Sequence, residues 1–97
     1  MAKYAQHVYT DQAQIATLES WVTQLPDEAR VQVTLDDGSR LLGTVAARPT
    51  VQTFRDEDEN EGMNGLLRLD DLDEPVQRHL VWLDRIREVR PLPPIEP

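Results

Sequence analysis

The chain has 97 residues, no cysteine, 18 acidic against 10 basic residues, and a formal charge of −8 at pH 7. That length supports one domain around one modest core, and the lack of cysteine excludes disulfide staples, thiolate metal sites and a cysteine nucleophile. The acidity disfavours nucleic acid as the main partner, because general affinity for phosphates comes from cations that displace counterions. The charge is also uneven: residues 56–75 hold nine acids and one base, Arg68, and carry the whole −8. The opening Met1-Ala-Lys-Tyr-Ala-Gln-His7 lacks the basic region and apolar run of a secretory signal. No apolar run approaches the roughly 18 residues of a membrane span. A cytoplasmic protein that uses no membrane is expected.

Residues 1–9 read as a flexible N-terminus, and a helix is predicted over 11–25. Thr10 suits the N-cap, and Asp11 in the first turn suits the helix dipole. Ile15, Leu18, Val22 and Leu25 recur at helical spacing and make one apolar face, bordered by Trp21. Such a face is expected to cover the open end of a core. Pro26 stops the helix, since the residue before proline disfavours α geometry.

From Arg30 the period changes to two. Val31, Val33 and Leu35 alternate with Gln32, Thr34 and Asp36, which predicts a half-buried strand over about 30–36. Asp37-Gly38 is a hairpin signal, and a type I′ turn is expected there because that turn needs positive φ at both central residues. A second strand is predicted over 39–54, with a bulge or bend at Gly43 and an edge or kink at Pro49, which cannot donate to a ladder.

Residues 56–64 are predicted to be a loop, because like charges at that density repel. A third strand is expected over 64–72, a fourth over 78–83 and a fifth over 86–90. A helix over 78–90 competes, since Trp82, Ile86 and Val89 also fit helical spacing; Val81-Trp82 and the lack of an N-cap favour two strands. Residues 91–97 form a Pro-rich tail, extended or disordered.

One helix followed by five strands, the second bent at a glycine, resembles the Sm-like fold. Residues 31–45 look like the first Sm motif, with alternating apolar residues, an Asp-Gly turn and a later glycine; Leu80 to Val89 resembles the second. The chain is also similar to a small family of uncharacterised bacterial proteins that adopt an Sm-like barrel. The resemblance covers residues 10–90 and implies a mainly β fold: an N-terminal α-helix followed by a small, bent, five-stranded antiparallel barrel of Sm-like or SH3-like type. Sm proteins bind uridine-rich RNA through an Asp and an Asn after strand two and an Arg-Gly pair near strands four and five. Asn60 and Asn64 here lack the family's apolar-flanked setting, and Leu83-Asp84-Arg85-Ile86 has the arginine without the glycine. The resemblance therefore carries over the fold and no RNA-binding residue.

Candidate chemistry is sparse. Asp56, Asp58 and Asn60 resemble the start of a calcium loop, but Glu61 stands where the turn glycine belongs and Leu67 where the bidentate Glu belongs. Asp70, Asp71, Asp73 and Glu74 fit a turn better than a pair of catalytic carboxylates. Neither Ser20 nor Ser39 sits in a nucleophile elbow, and His7 and His79 are too few for a zinc site. Arg78, Trp82, Arg85, Arg87 and Arg90 form the one cationic stretch, a candidate nucleic-acid or partner surface. The expectation is a non-enzymatic accessory or protein-interaction module with no cofactor. Sm-like folds leave strands four and five free to pair with a neighbour. Eight negative charges per subunit oppose a closed ring, so a monomer or homodimer is expected over a hexamer or heptamer. Sm-like RNA binding and cation binding by the acidic loop are the alternatives.

Overall fold

The computed structural model describes residues 4–93. Helix α1 spans Gln12–Thr23. Its N-cap is Asp11, not the expected Thr10: Asp11 is extended (φ −72°, ψ 130°), and its Oδ1 accepts from the Ala13 amide at 2.7 Å. The helix also stops short of Leu25. The Gln24 amide closes onto the Trp21 and Val22 carbonyls, and Leu25, held out of α geometry by Pro26, drops fully buried into the core.

Seven strands follow: β1 (Arg30–Leu35), β2 (Arg40–Ala47), β3 (Gln52–Arg55), β4 (Glu61–Asn64), β5 (Leu66–Asp71), β6 (Arg78–Trp82) and β7 (Ile86–Pro91), with a 3₁₀ turn over Leu83–Arg85. Five of them form one antiparallel sheet in the order β6-β5-β2-β1-β7, and β3 pairs β4 in a separate hairpin. Buried residues alternate along β1, so its period of two places Val31, Val33 and Leu35 inside. They meet Leu18 and Leu25 from the helix side and Val45, Leu67, Leu69, Val81, Leu83, Ile86 and Val89 from the rest of the sheet and the 3₁₀ turn.

Several expectations need correction. The expected small, bent, five-stranded barrel is, as a fold, one helix with a five-stranded antiparallel sheet whose ends are β6 and β7, and among the described residues each of these pairs on one side only. The predicted strand 39–54 is broken over 48–51, around Pro49, into β2 and β3. The predicted strand 64–72 is present as β5 over Leu66–Asp71, starting after Gly65, and the predicted loop 56–64 contains β4. The Asp37-Gly38 hairpin is present, but only Gly38 has positive φ (+87°). The Gly38 amide bonds the Leu35 carbonyl and the Leu35 amide bonds the Ser39 carbonyl, each at 2.9 Å. That is a three-residue turn ending in a left-handed glycine, not the two-residue type I′ form. The tail expected from residue 91 begins later, since Pro91 ends β7 and the Leu92 amide still bonds the Arg30 carbonyl at 2.9 Å; residues 94–97 lie outside the described residues.

The N-terminus expected to be flexible is, from residue 4, a strap on the β3–β4 hairpin. The Ala5 amide donates to the Arg55 carbonyl at 2.9 Å, and Tyr9 and Met63 exchange backbone bonds at 3.0 and 2.8 Å. Asn64, almost fully buried, donates from Nδ2 to the His7 carbonyl at 2.8 Å.

Gly43 has a different reason from the expected bend. The register shift in β2 falls between Val45 and Ala47, whereas Gly43 is where β5 comes close: a Cβ there would lie 2.7 Å from the Asp70 carbonyl oxygen and 3.1 Å from the Leu69 Cβ. The obstacle is backbone and cannot swing away. Gly43→Ala is therefore expected to destabilise the fold by about 1–3 kcal/mol in urea unfolding; an unchanged midpoint would refute the close approach.

Candidate functional site

The acidic loop binds itself. Asp56 Oδ1 accepts from the amides of Asp58 and Asn60, both at 2.9 Å, and its Oδ2 accepts from Asn60 Nδ2 at 3.1 Å. These bonds, the Asn60 amide foremost, hold the Asp56 carboxyl below its usual range. Asp56, Asp58 and Asn60 thus make a turn that closes the β3–β4 hairpin, with Glu59 at positive φ (+66°). Arg55 flanks it and bridges Glu59 and Glu61, each at 3.2 Å. Among the described residues no group of three or more His, Asp or Glu side chains is arranged to hold a metal.

A second acidic turn works the same way. Asp71 Oδ1 lies 3.0 Å from His79 Nε2, and its Oδ2 accepts from the Asp73 and Glu74 amides at 3.0 Å. The His79 bond first, then the Glu74 amide, lowers the Asp71 pKa. Asp71 thereby shapes the connection into β6.

The cationic stretch disperses. β6 and β7 are adjacent in sequence but lie at opposite ends of the sheet. Arg78 and Trp82 sit at one end, Arg87 and Arg90 at the other. Arg78 pairs with Asp70 at 3.7 Å, and Arg90 with Glu88 at 3.5 Å. Arg85, on the 3₁₀ turn, reaches back to Asp36 and Asp37 at 3.3 Å and clamps the first hairpin. Trp82 is half-buried against Phe54, edge to face, with ring centres 5.2 Å apart. No single surface gathers the five residues.

Two features were not found from sequence. First, Tyr9 Oη donates to Asp84 Oδ2 at 2.9 Å beside a cavity of about 200 Å³ that Trp21, Gln14 and Thr17 also line. Burial, then the Asp84 bond, raises the Tyr9 pKa to about 12. The pair spans most of the chain, so no local pattern could announce it. Second, large apolar side chains are exposed at one end of the sheet: Leu80 on β6 is 61% exposed and Val76, just before it, 95%. The alternation of Arg78, Leu80 and Trp82 with His79 and Val81 was the available signal; it marks Leu80 as outward-facing once the strand is known to be an edge.

This geometry has relatives. The chain belongs to the family described as "Domain of unknown function (DUF3247)", which matches residues 2–92. It is similar, with 59% sequence identity and a TM-score of 0.91, to XC5848 from Xanthomonas campestris, whose crystal structure is described as adopting a novel variant of Sm-like motif. The match covers 96% of this chain and 100% of that one. No curated protein matches. The expected resemblance to an Sm-like fold in an uncharacterised family thus holds.

The Tyr9 pKa, raised in the fold, makes a pH test. A raised pKa means the protonated phenol is favoured in the folded state, so its stabilisation is complete below the unfolded value near 10 and is lost as pH rises toward about 12. Absorbance titration at alkaline pH should show a late tyrosine step near pH 12, and Tyr9→Phe should abolish it. A single tyrosine transition near the ordinary value would refute the buried pair.

Proposed function

We propose that this protein is a non-enzymatic, cytoplasmic interaction module that joins another protein chain through an unpaired edge of its main sheet. In this reading the sheet is a barrel that stops short of closing: the register shift after Val45 and the break at Gly65 curl it around α1, and β6 and β7 stay available. The observation that carries the proposal is the open end of the sheet at β6, where backbone without a ladder partner among the described residues lies beside the exposed Leu80. An unpaired edge templates the addition of a strand, with main-chain bonds giving affinity and alternate side chains giving selectivity.

The electrostatics support binding over catalysis. General acid–base work needs carboxylates whose pKa values are pushed apart and toward neutrality. The shifts resolved at Asp37, Asp56 and Asp71 all run downward, toward permanent anions engaged in their own turns. Sm-like RNA binding is disfavoured by the dispersal of Arg78, Trp82, Arg85, Arg87 and Arg90 over both ends of the sheet, and by Asn64, whose amide is committed to His7 and Gly65.

Extended peptides selected from a display library against the folded protein should shift backbone amide resonances on β6 or β7. Oligouridine at about 50 mM salt should leave the spectrum unchanged, since low salt maximises phosphate affinity. Peptides that map away from both edges, or uridine-dependent shifts, would overturn the reading.

A further inference from the structure

We propose that β6 is a self-pairing strand: two copies of the chain join antiparallel about a two-fold axis at Leu80, so that Arg78 of each subunit lies opposite Trp82 of the partner subunit. This rests on the edge-binding reading above and names its partner.

The directions of the backbone groups distinguish the two edges. The Leu83 amide donates to the Gly65 carbonyl at 2.9 Å, and the Asp71 amide donates to the Gln77 carbonyl at 3.0 Å. With the β5–β6 register, these bonds direct the backbone groups of residues 77, 79, 81 and 83 toward β5. Alternation then points both N–H and C=O of Arg78, Leu80 and Trp82 away from the sheet. Those three residues present an unbroken ladder.

β7 does not. The Leu92 amide donates to the Arg30 carbonyl at 2.9 Å, which with the register turns Arg90 and Glu88 toward β1 and leaves Val89 and Pro91 on the open side. Pro91 has no N–H, and the register is already shifted between Thr34 and Leu35. Proline and irregular register are devices that blunt an edge. A head-to-tail ring needs both edges, whereas an isologous dimer needs one edge twice.

β6 is complementary to itself about Leu80. Residues that point their backbone groups outward face one another as hydrogen-bonded pairs, each exchanging both bonds. The pairs are Leu80 with Leu80 of the partner subunit, and Arg78 with Trp82 of the partner subunit. The first covers the large exposed side chain of an edge strand with its own copy. The second sets a guanidinium against the half-buried indole, the arrangement of a cation–π contact. Arg78 keeps Asp70 on its own side. The charge of −8 on each copy opposes association at long range, so pairing should strengthen with salt, the reverse of phosphate binding.

The chain has no cysteine, so Leu80→Cys introduces one thiol, placed on the proposed axis. Paired Cα atoms there would be about 5.5 Å apart, within disulfide reach. Light scattering behind a sizing column should show the mass rising from 11.1 kDa toward twice that with concentration, more readily at high salt. Oxidised Leu80→Cys should give a covalent dimer and Glu88→Cys on β7 should not. Leu80→Lys, a change at an exposed site that leaves the core intact, should weaken association about tenfold or more by opposing like charges. A monomer up to roughly 1 mM, where even small interfaces associate, with no Leu80→Cys cross-link, would overturn self-pairing and leave the edge reading to its peptide mapping. A dimer that resists Leu80→Lys and cross-links through Glu88→Cys would overturn it in favour of β7. A dimer indifferent to both edges would overturn self-pairing and the edge reading together.

Discussion

At Gly65 the Leu83 side chain and the Thr50 backbone close in on the chain. A Cβ on this residue would lie 2.5 Å from the Leu83 Cδ1 and 2.7 Å from the Thr50 carbonyl oxygen, and the Gly65 carbonyl accepts the Leu83 amide at 2.9 Å. That one bond starts the 3₁₀ turn and seats the fully buried Leu83 in the core. The neighbouring Asn64 caps the Gly65 amide with its own Oδ1 at 2.8 Å and holds the N-terminal strap with its Nδ2. The separation of β4 from β5, the entry to β7 and the position of the strap all depend on a corner that tolerates no side chain.

The acidic segment becomes intelligible around this frame. Its carboxylates are divided between two turns, each organised by one aspartate that accepts backbone amides two to four residues ahead: Asp56 closes the β3–β4 hairpin, and Asp71 shapes the approach to β6. Both are lowered in pKa, Asp56 by the Asn60 amide foremost and Asp71 by the His79 bond and then the Glu74 amide, so both support the fold above the ordinary carboxylate range and lose that support as the pH falls through their lower folded values. The same local logic lowers Asp37 through Ser39 in the first hairpin. A dense run of negative charge here builds turns, not a pocket.

Openness at the ends of the sheet follows from the same construction. The aliphatic core is completed by α1, which packs against β4 and the 3₁₀ turn, so closure of β6 onto β7 is not needed to exclude water. The two edges are then finished differently: β7 ends in Pro91, while β6 carries Leu80 in the open.

Local periodicity and chemistry were legible from sequence alone: the apolar stripe of α1 and its stop before Pro26, the period of two in β1, the glycine turn at Gly38, and the resemblance to an Sm-like chain. Each is set by neighbours within a few residues, where backbone sterics and side-chain spacing decide the outcome. Tertiary structure decided the rest. It put Arg78 and Arg90 at opposite ends of a sheet although they are close in sequence, because strand order is a property of long-range pairing. It joined Tyr9 to Asp84, and it gave Gly43 and Gly65 their purpose, which is the close approach of parts of the chain distant in sequence: the Asp70 backbone at Gly43, and the Leu83 side chain with the Thr50 carbonyl at Gly65. It also set β6 and β7 at the two ends of one sheet, because whether an edge is covered depends on elements distant in sequence.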